Sequence, residues 1–207
     1  YLISKALNQE QKKYNLKLSG GDTTNSNKVS FSIISIGFSK NIVERNKARL
    51  NDDIYVTGNI GDSFLGLKII KNNIKINSKL KTYFINKFYC PSLPYNVYKK
   101  IQKFANTSID VSDGLISDMN KLINNQKLSF EIDINKIPIS KKLEIYLNRY
   151  KKIKTQYLFN GDDYQILFTA NKKNRSLIKS FGKRMNQKFT IIGKINNVYK
   201  KNSLKLD

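Results

Sequence analysis

Histidine is absent from this 207-residue chain, and cysteine occurs once, as Cys90. A single cysteine permits no internal disulfide, which fits a reducing compartment. Without an imidazole, a thiol assisted by histidine is excluded, so Cys90 reads as a packed or idle thiol before Pro91. No apolar run approaches the roughly 20 residues that a membrane span needs, and no signal-peptide pattern is present. No membrane association is expected, and the expected location is cytoplasmic. The Walker-type phosphate loop, the Rossmann glycine fingerprint and the protein-kinase signatures are all missing.

Acid is the next scarcity. The chain carries 15 Asp and Glu against 38 Lys and Arg, a formal charge of +23. That balance alone would suggest a nucleic acid or another anionic surface. The basic residues, however, are mostly Lys and are spread along the whole chain, as in a compositional bias with solvated lysines. There is no zinc-finger spacing, no RNP-like aromatic motif and no concentrated basic tail, so no nucleic-acid partner is expected. Eleven of the 15 acids are Asp, and Asp22, Asp62, Asp113 and Asp162 each adjoin a glycine. Solvated helix faces draw on Glu, whereas turns and metal sites draw on Asp.

Hydrophobic periodicity gives a mixed α/β pattern. Residues 1–14 read as the end of an amphipathic helix, 15–19 as a short strand, and 29–38 as a β-rich strand buried at one end. A polar stretch over 39–52 marks a domain boundary. Strands are expected at 53–58, 109–111, 130–134, 164–169 and 189–195, with helices after Gly61, near 95–106, after Ser112 or Asp113 as cap, and near 172–185. Glycine turns between strands and helices indicate an α/β or α+β sheet protein.

Two tracts carry the chemistry. Residues 20–24 read Gly-Gly-Asp-Thr-Thr, and residues 109–114 read Ile-Asp-Val-Ser-Asp-Gly. Asp and Ser are hard oxygen ligands for Mg²⁺, and glycine lets the backbone approach a phosphate closely. Asp110 and Asp113 lie across a strand-to-helix junction, where two close anions repel unless a cation joins them. An N-cap at Ser112 or Asp113 would explain one of these residues but not Asp110. In Phe159-Asn160-Gly161-Asp162-Asp163-Tyr164, strand alternation lets only one of the two acids face a given pocket.

In this order the tracts resemble the thiamine-monophosphate kinase family. The matching pieces are residues 20–24, Arg45 with Ala48 and Asp52, residues 54–58, Gly61-Asp62-Ser63, Pro91-Ser92-Leu93-Pro94, residues 109–118 and Gly161-Asp162-Asp163-Tyr164. The resemblance implies the two-domain α/β (α+β) fold shared with aminoimidazole ribonucleotide synthetase and selenophosphate synthetase. Residues 1–40 would be the tail of an N-terminal ATP-binding and dimerisation domain, and 41–207 a C-terminal α/β domain. It implies transfer of the γ-phosphoryl group of ATP to thiamine monophosphate, giving thiamine diphosphate, with Mg²⁺ and within a homodimer.

By the family pattern, Asp22, Asp110 and Asp113 are metal ligands, and Gly21, Asp22, Arg45 and Ser112 contact ATP. Asp162 stands where the family has a glutamate that contacts thiamine monophosphate, one methylene shorter. Asn160 replaces a usual glycine, as do Lys47 and Asn51 near Arg45. The chain reads as a fragment without the family's acidic N-terminal motif and closing aromatic segment, and alone it is expected to be inactive. The competing readings are another ATP-dependent synthetase of the same superfamily, a basic nucleic-acid binder, and a degenerate inactive relative.

Overall fold

The strand Asp53–Thr57 (β1) is buried at every position, with Ile54, Tyr55 and Val56 as an unbroken apolar run at its centre. That pattern belongs to a central strand with both faces covered. The computed structural model describes residues 2–72, 74 and 76–205, and β1 lies inside a six-stranded sheet there. The chain divides into two compact units, Tyr1–Lys40 and Asn41–Asp207, each described by itself.

The first unit holds helix α1 (Leu2–Tyr14), where the sequence places a helix. In the second unit the helices and strands run in chain order. After β1 come helices α2 (Asp62–Asn72), α3 (Ser78–Tyr89) and α4 (Tyr98–Ile101), strand β2 (Ala105–Asp110), helix α5 (Leu115–Leu122) and strand β3 (Leu128–Asp133). Then follow α6 (Lys141–Arg149), α7 (Thr155–Leu158), β4 (Ile166–Ala170), α8 (Arg175–Arg184), β5 (Phe189–Asn197) and β6 (Ser203–Lys205). The sheet order is β2-β4-β1-β5-β3-β6. All pairs are antiparallel except β3 with β6.

Strand alternation sends Ile54 and Val56 to one face, where they pack with Leu167, Ile192 and Ile195 against Leu115, Met119 and Leu122 of α5. Tyr55 and Phe168 turn to the other face and pack with Ile101, Phe104, Ile178 and Phe181 under α4 and α8. Tyr55 and Phe168 stack with ring centroids 5.0 Å apart. A third cluster joins α2, α3, α6 and α7 through Leu65, Ile69, Phe84, Leu143, Tyr146 and Tyr157. Each such fully buried side chain contributes about 1.5–3 kcal/mol relative to exposure.

Several expectations from the sequence change. Neither 15–19 nor 29–38 forms a strand, and every residue from 15 to 40 is exposed. Their alternation is real, but a strand needs a neighbour for its N–H and C=O groups. Among the described residues no sheet register includes them. The helix expected over 95–106 shrinks to a 3₁₀ turn at Tyr95–Val97 and one turn of α4. Phe104 is anchored among Phe168, Phe181 and Phe189, and pairing with β4 takes the chain from Ala105 onward. Cys90 is exposed at the end of α3 and not packed. Among the described residues no helix is long and apolar enough to cross a membrane.

Helices α3 and α6 went unread, although both carry start signals. The Asn77 side chain accepts the Lys79 N–H, and Ser140 Oγ accepts the Leu143 N–H at 3.0 Å. Such caps satisfy N–H groups that a helix leaves unpaired at its start.

Candidate functional site

The end of β2 and the turn before β4 meet backbone to backbone. The Val111 N–H donates to the Gln165 carbonyl at 2.8 Å, and the Tyr164 N–H to the Val111 carbonyl at 2.9 Å. The Asp162 N–H then donates to the Ser112 carbonyl at 3.0 Å. The approach is so close that a Cβ on Gly161 would overlap the Ser112 carbonyl oxygen. A Cβ on Gly114, at φ +121°, would likewise collide with the Phe159 carbonyl oxygen. Only glycine fits both demands, which explains why glycine punctuates both tracts. The structure therefore brings residues 110–114 and 159–165 into one junction.

Neither Ser112 nor Asp113 caps α5. Gly114 holds the cap position without a side-chain bond, and the carboxylate of Asp118 takes over from inside the helix. Its Oδ2 accepts the N–H groups of Ser112, Asp113 and Gly114 at 3.0, 2.9 and 3.1 Å. Its Oδ1 accepts Lys121 Nζ at 3.1 Å. Lys121 also ion-pairs with Asp113, whose side chain is 63% exposed. Sequence reading passed over Asp118. The available signal was an aspartate, a weak helix former, four residues after Gly114 inside an otherwise apolar-faced helix.

A third turn joins the junction through Asp163. This buried carboxylate accepts the Gly61 N–H at 2.8 Å and faces the Ser63 N–H at 3.5 Å. Burial pushes its pKa up to about 7, and the neighbouring Asp62 adds to the rise while the two backbone donors oppose it. Asp62, also buried, accepts Ser140 Oγ at 2.7 Å and the Tyr83 hydroxyl at 2.8 Å. Burial raises its pKa against those hydrogen bonds. The two acids, with Ser63, Lys87, Ser92 and Gln165, line a cleft of about 170 Å³. Asp163 faces this cleft, whereas Asp162 stands beside it, half-buried and left-handed at φ +67°.

The remaining candidates are spread more widely. Asp110 ends the edge strand β2 and is exposed. Ser112 is half-buried, and its hydroxyl has no partner among the described residues. Arg45 is exposed on a segment fixed by the bonds Thr107 Oγ1 to Glu44 O at 2.6 Å and Asn46 N to Leu122 O at 2.8 Å. Thr107 precedes Asp110 by three strand residues, so this anchor lies about 10 Å along β2 from the carboxylate. Asp52 secures the same segment, its Oδ2 accepting Arg49 N, Asn106 Nδ2 and Thr169 Oγ1. Asn51 takes the left-handed φ of +65° that asparagine tolerates better than most residues. Gly21 and Asp22 belong to the first unit, where Asp22 Oδ1 accepts the Thr23 N–H at 2.7 Å. Among the described residues no three His, Cys, Asp or Glu side chains converge as a metal cluster.

No protein-family model matches the chain. A curated thiamine-monophosphate kinase of Buchnera aphidicola subsp. Acyrthosiphon pisum is 38% identical over 192 residues, covering 88% of this chain and 57% of the relative. The crystal structure of a thiamine monophosphate kinase from Aquifex aeolicus superposes with a TM-score of 0.68 at 32% identity, over 81% of this chain and 54% of that one. The chain is similar to thiamine-monophosphate kinases over most of its own length. A solved structure of AaThiL complexed with AMPPCP and TMP matches at 30% identity and a TM-score of 0.69, over 80% of this chain and 51% of its own. The described α/β architecture is thus that of the thiamine-monophosphate kinase fold, the aminoimidazole ribonucleotide synthetase-like class. The chain spans little more than half the length of the curated thiamine-monophosphate kinases it matches.

Proposed function

We propose that the protein transfers the γ-phosphoryl group of ATP to thiamine monophosphate, giving thiamine diphosphate and ADP, as a cytosolic homodimer. The observation that carries this reading is the single junction formed by residues 110–114, 159–165 and 61–63 in a chain similar to the thiamine-monophosphate kinases. Residues 1–40 then belong to an N-terminal ATP-binding and dimerisation domain, and 41–207 to a C-terminal α/β domain.

Mg²⁺ fits the residues of the junction. Asp110 and Asp113 are exposed hard-oxygen donors three residues apart, and the Lys121 ammonium already sits against Asp113 as a cation does. These two carboxylates would hold the ion, which would supply neutralisation of phosphate charge. The Ser112 hydroxyl donates to a phosphate oxygen, and the Arg45 guanidinium supplies paired N–H donors to another. Gly21 allows close passage of the backbone beside the nucleotide, and Asp162 contacts thiamine monophosphate.

The step needs positioning more than acid–base work. A phosphate monoester loses its second proton near pH 6, so the acceptor oxygen is already unprotonated at pH 7. That oxygen attacks the γ-phosphorus, a new P–O bond forms, and the bond to the β–γ bridging oxygen breaks with its electron pair leaving on ADP. Holding the two phosphates in line against their repulsion is the protein's task.

An assay of the full-length protein with ATP, Mg²⁺ and thiamine monophosphate, with product separated by chromatography, tests the reading. Thiamine diphosphate should form one-for-one with ADP, and Asp113→Asn should reduce turnover at least about 100-fold, an oxyanion-scale electrostatic loss. ADP release without thiamine diphosphate would point instead to another ATP-dependent synthetase of the superfamily.

A further inference from the structure

A glycine-bearing turn at a strand-to-helix junction ordinarily meets phosphate with its backbone N–H groups. In this chain those groups are already taken. The amides of Ser112, Asp113 and Gly114 all converge on one oxygen of Asp118, a side chain 1% exposed. The other oxygen receives Lys121, which in turn holds Asp113. Asp118 is therefore an internal anion seated where an external one would bind. What the turn presents outward is the Ser112 hydroxyl, without a partner among the described residues, and the exposed Asp113 carboxylate.

We infer that Asp118 is a positioning residue for nucleotide binding. It occupies all three amides of the Ser112–Gly114 turn from within, so that the turn meets the nucleotide through side chains and not through backbone N–H groups. The inference rests on the phosphotransfer reading and adds to it which atoms of the turn touch the substrate. A carboxylate accepting three N–H groups forms charge-assisted bonds, stronger than those of a neutral acceptor. A neutral amide whose oxygen takes the place of Oδ2 loses the charge that strengthens these bonds and turns its NH2 donors toward the Lys121 ammonium. Asp118→Asn should therefore loosen the turn without emptying the site, and Asp118→Ala should loosen it further.

Hydrogen exchange on the wild-type protein comes first. The amides of 112–114 should exchange as slowly as those of β2, although they lie outside any helix or strand. Saturating Mg·ATP should leave them within about threefold of their ligand-free rates, because they are already bonded. Protection of those amides by about tenfold or more on adding nucleotide would show that phosphate, not Asp118, takes them, and would overturn the inference.

The variants supply the functional arm. In Asp118→Asn, exchange at 112–114 should rise at least about tenfold while α8 is unchanged, and KM for Mg·ATP should rise more than KM for thiamine monophosphate. A merely structural residue would lower the melting temperature and leave both KM values of the folded enzyme alone. Unchanged exchange or unchanged KM for Mg·ATP in a variant that folds overturns the inference. If the variants do not fold, the wild-type comparison with and without nucleotide decides it. Wild-type protein that binds no Mg·ATP would instead overturn the phosphotransfer reading, leaving the exchange at 112–114 to report on the Asp118 contacts alone.

Discussion

Asp163 gives the protein a pH dependence with a definite sign. Its carboxyl is 4% exposed and its pKa is pushed from 3.8 up to about 7, chiefly by burial. A carboxyl that binds its proton more tightly when folded stabilises the fold below its unfolded pKa and loses that contribution as pH rises through the folded value. Between pH 5 and pH 8 the loss amounts to about 2–3 kcal/mol. Asp163→Asn keeps an oxygen for the Gly61 N–H and removes the titration, so its stability should be flatter with pH across that window. Urea unfolding of both proteins at pH 5 and pH 8 measures the double difference, in which any constant cost of the asparagine cancels. The variant should gain about 2–3 kcal/mol on the wild type between the two pH values. An equal pH dependence in the two proteins would refute the argument that burial protonates this acid, and would imply that the cleft solvates or pairs it.

Two further outcomes are expected. Gly161→Ala places a Cβ on the Ser112 carbonyl oxygen, so the junction must open. The variant should lose more than about 3 kcal/mol in denaturant unfolding and all phosphoryl transfer, whereas a cost under 1 kcal/mol would mean that the two backbones are not in contact. Arg175 clasps the buried Asp53 with two bonds, at 2.6 and 2.7 Å. Arg175→Ala leaves the buried Asp53 carboxylate without its partner, so the variant should unfold at a lower urea concentration than the wild type at neutral pH; an unchanged midpoint would mean that the pair adds nothing to the fold.

Strands β1, β3, β4 and β5 were legible from their apolar runs, with Gly58 closing the first, whereas only the end of β2 was read and the three-residue β6 was missed. Helices α3 and α6 were missed because a mixture of lysines and aromatics blurred their periodicity, although Asn77 and Ser140 marked their starts. The strands expected at 15–19 and 29–38 show the opposite failure. Alternation records which face a strand would bury, but not whether a partner strand stands beside it, and pairing is a property of the whole sheet. At the site, residue types gave the tracts and their order. Which carboxylate turns inward was not legible, since Asp162 and Asp163 are chemically identical neighbours separated only by a left-handed backbone. Asp118 was hidden because its role depends on a helix winding it back by one turn onto amides four to six residues earlier in the chain.

The bonds tying Val111 and Ser112 to Asp162, Tyr164 and Gln165 have a calorimetric consequence. Main-chain bonding has already fixed the conformation of these turns, so a ligand arriving at the junction has only side chains left to order, at about 0.5–1.5 kcal/mol each. A loop that wrapped its guest would instead immobilise backbone at about 1–2 kcal/mol per residue. Ligand capture at this face should therefore show a heat-capacity change set by the contact area alone, without the large negative contribution of a segment folding on binding.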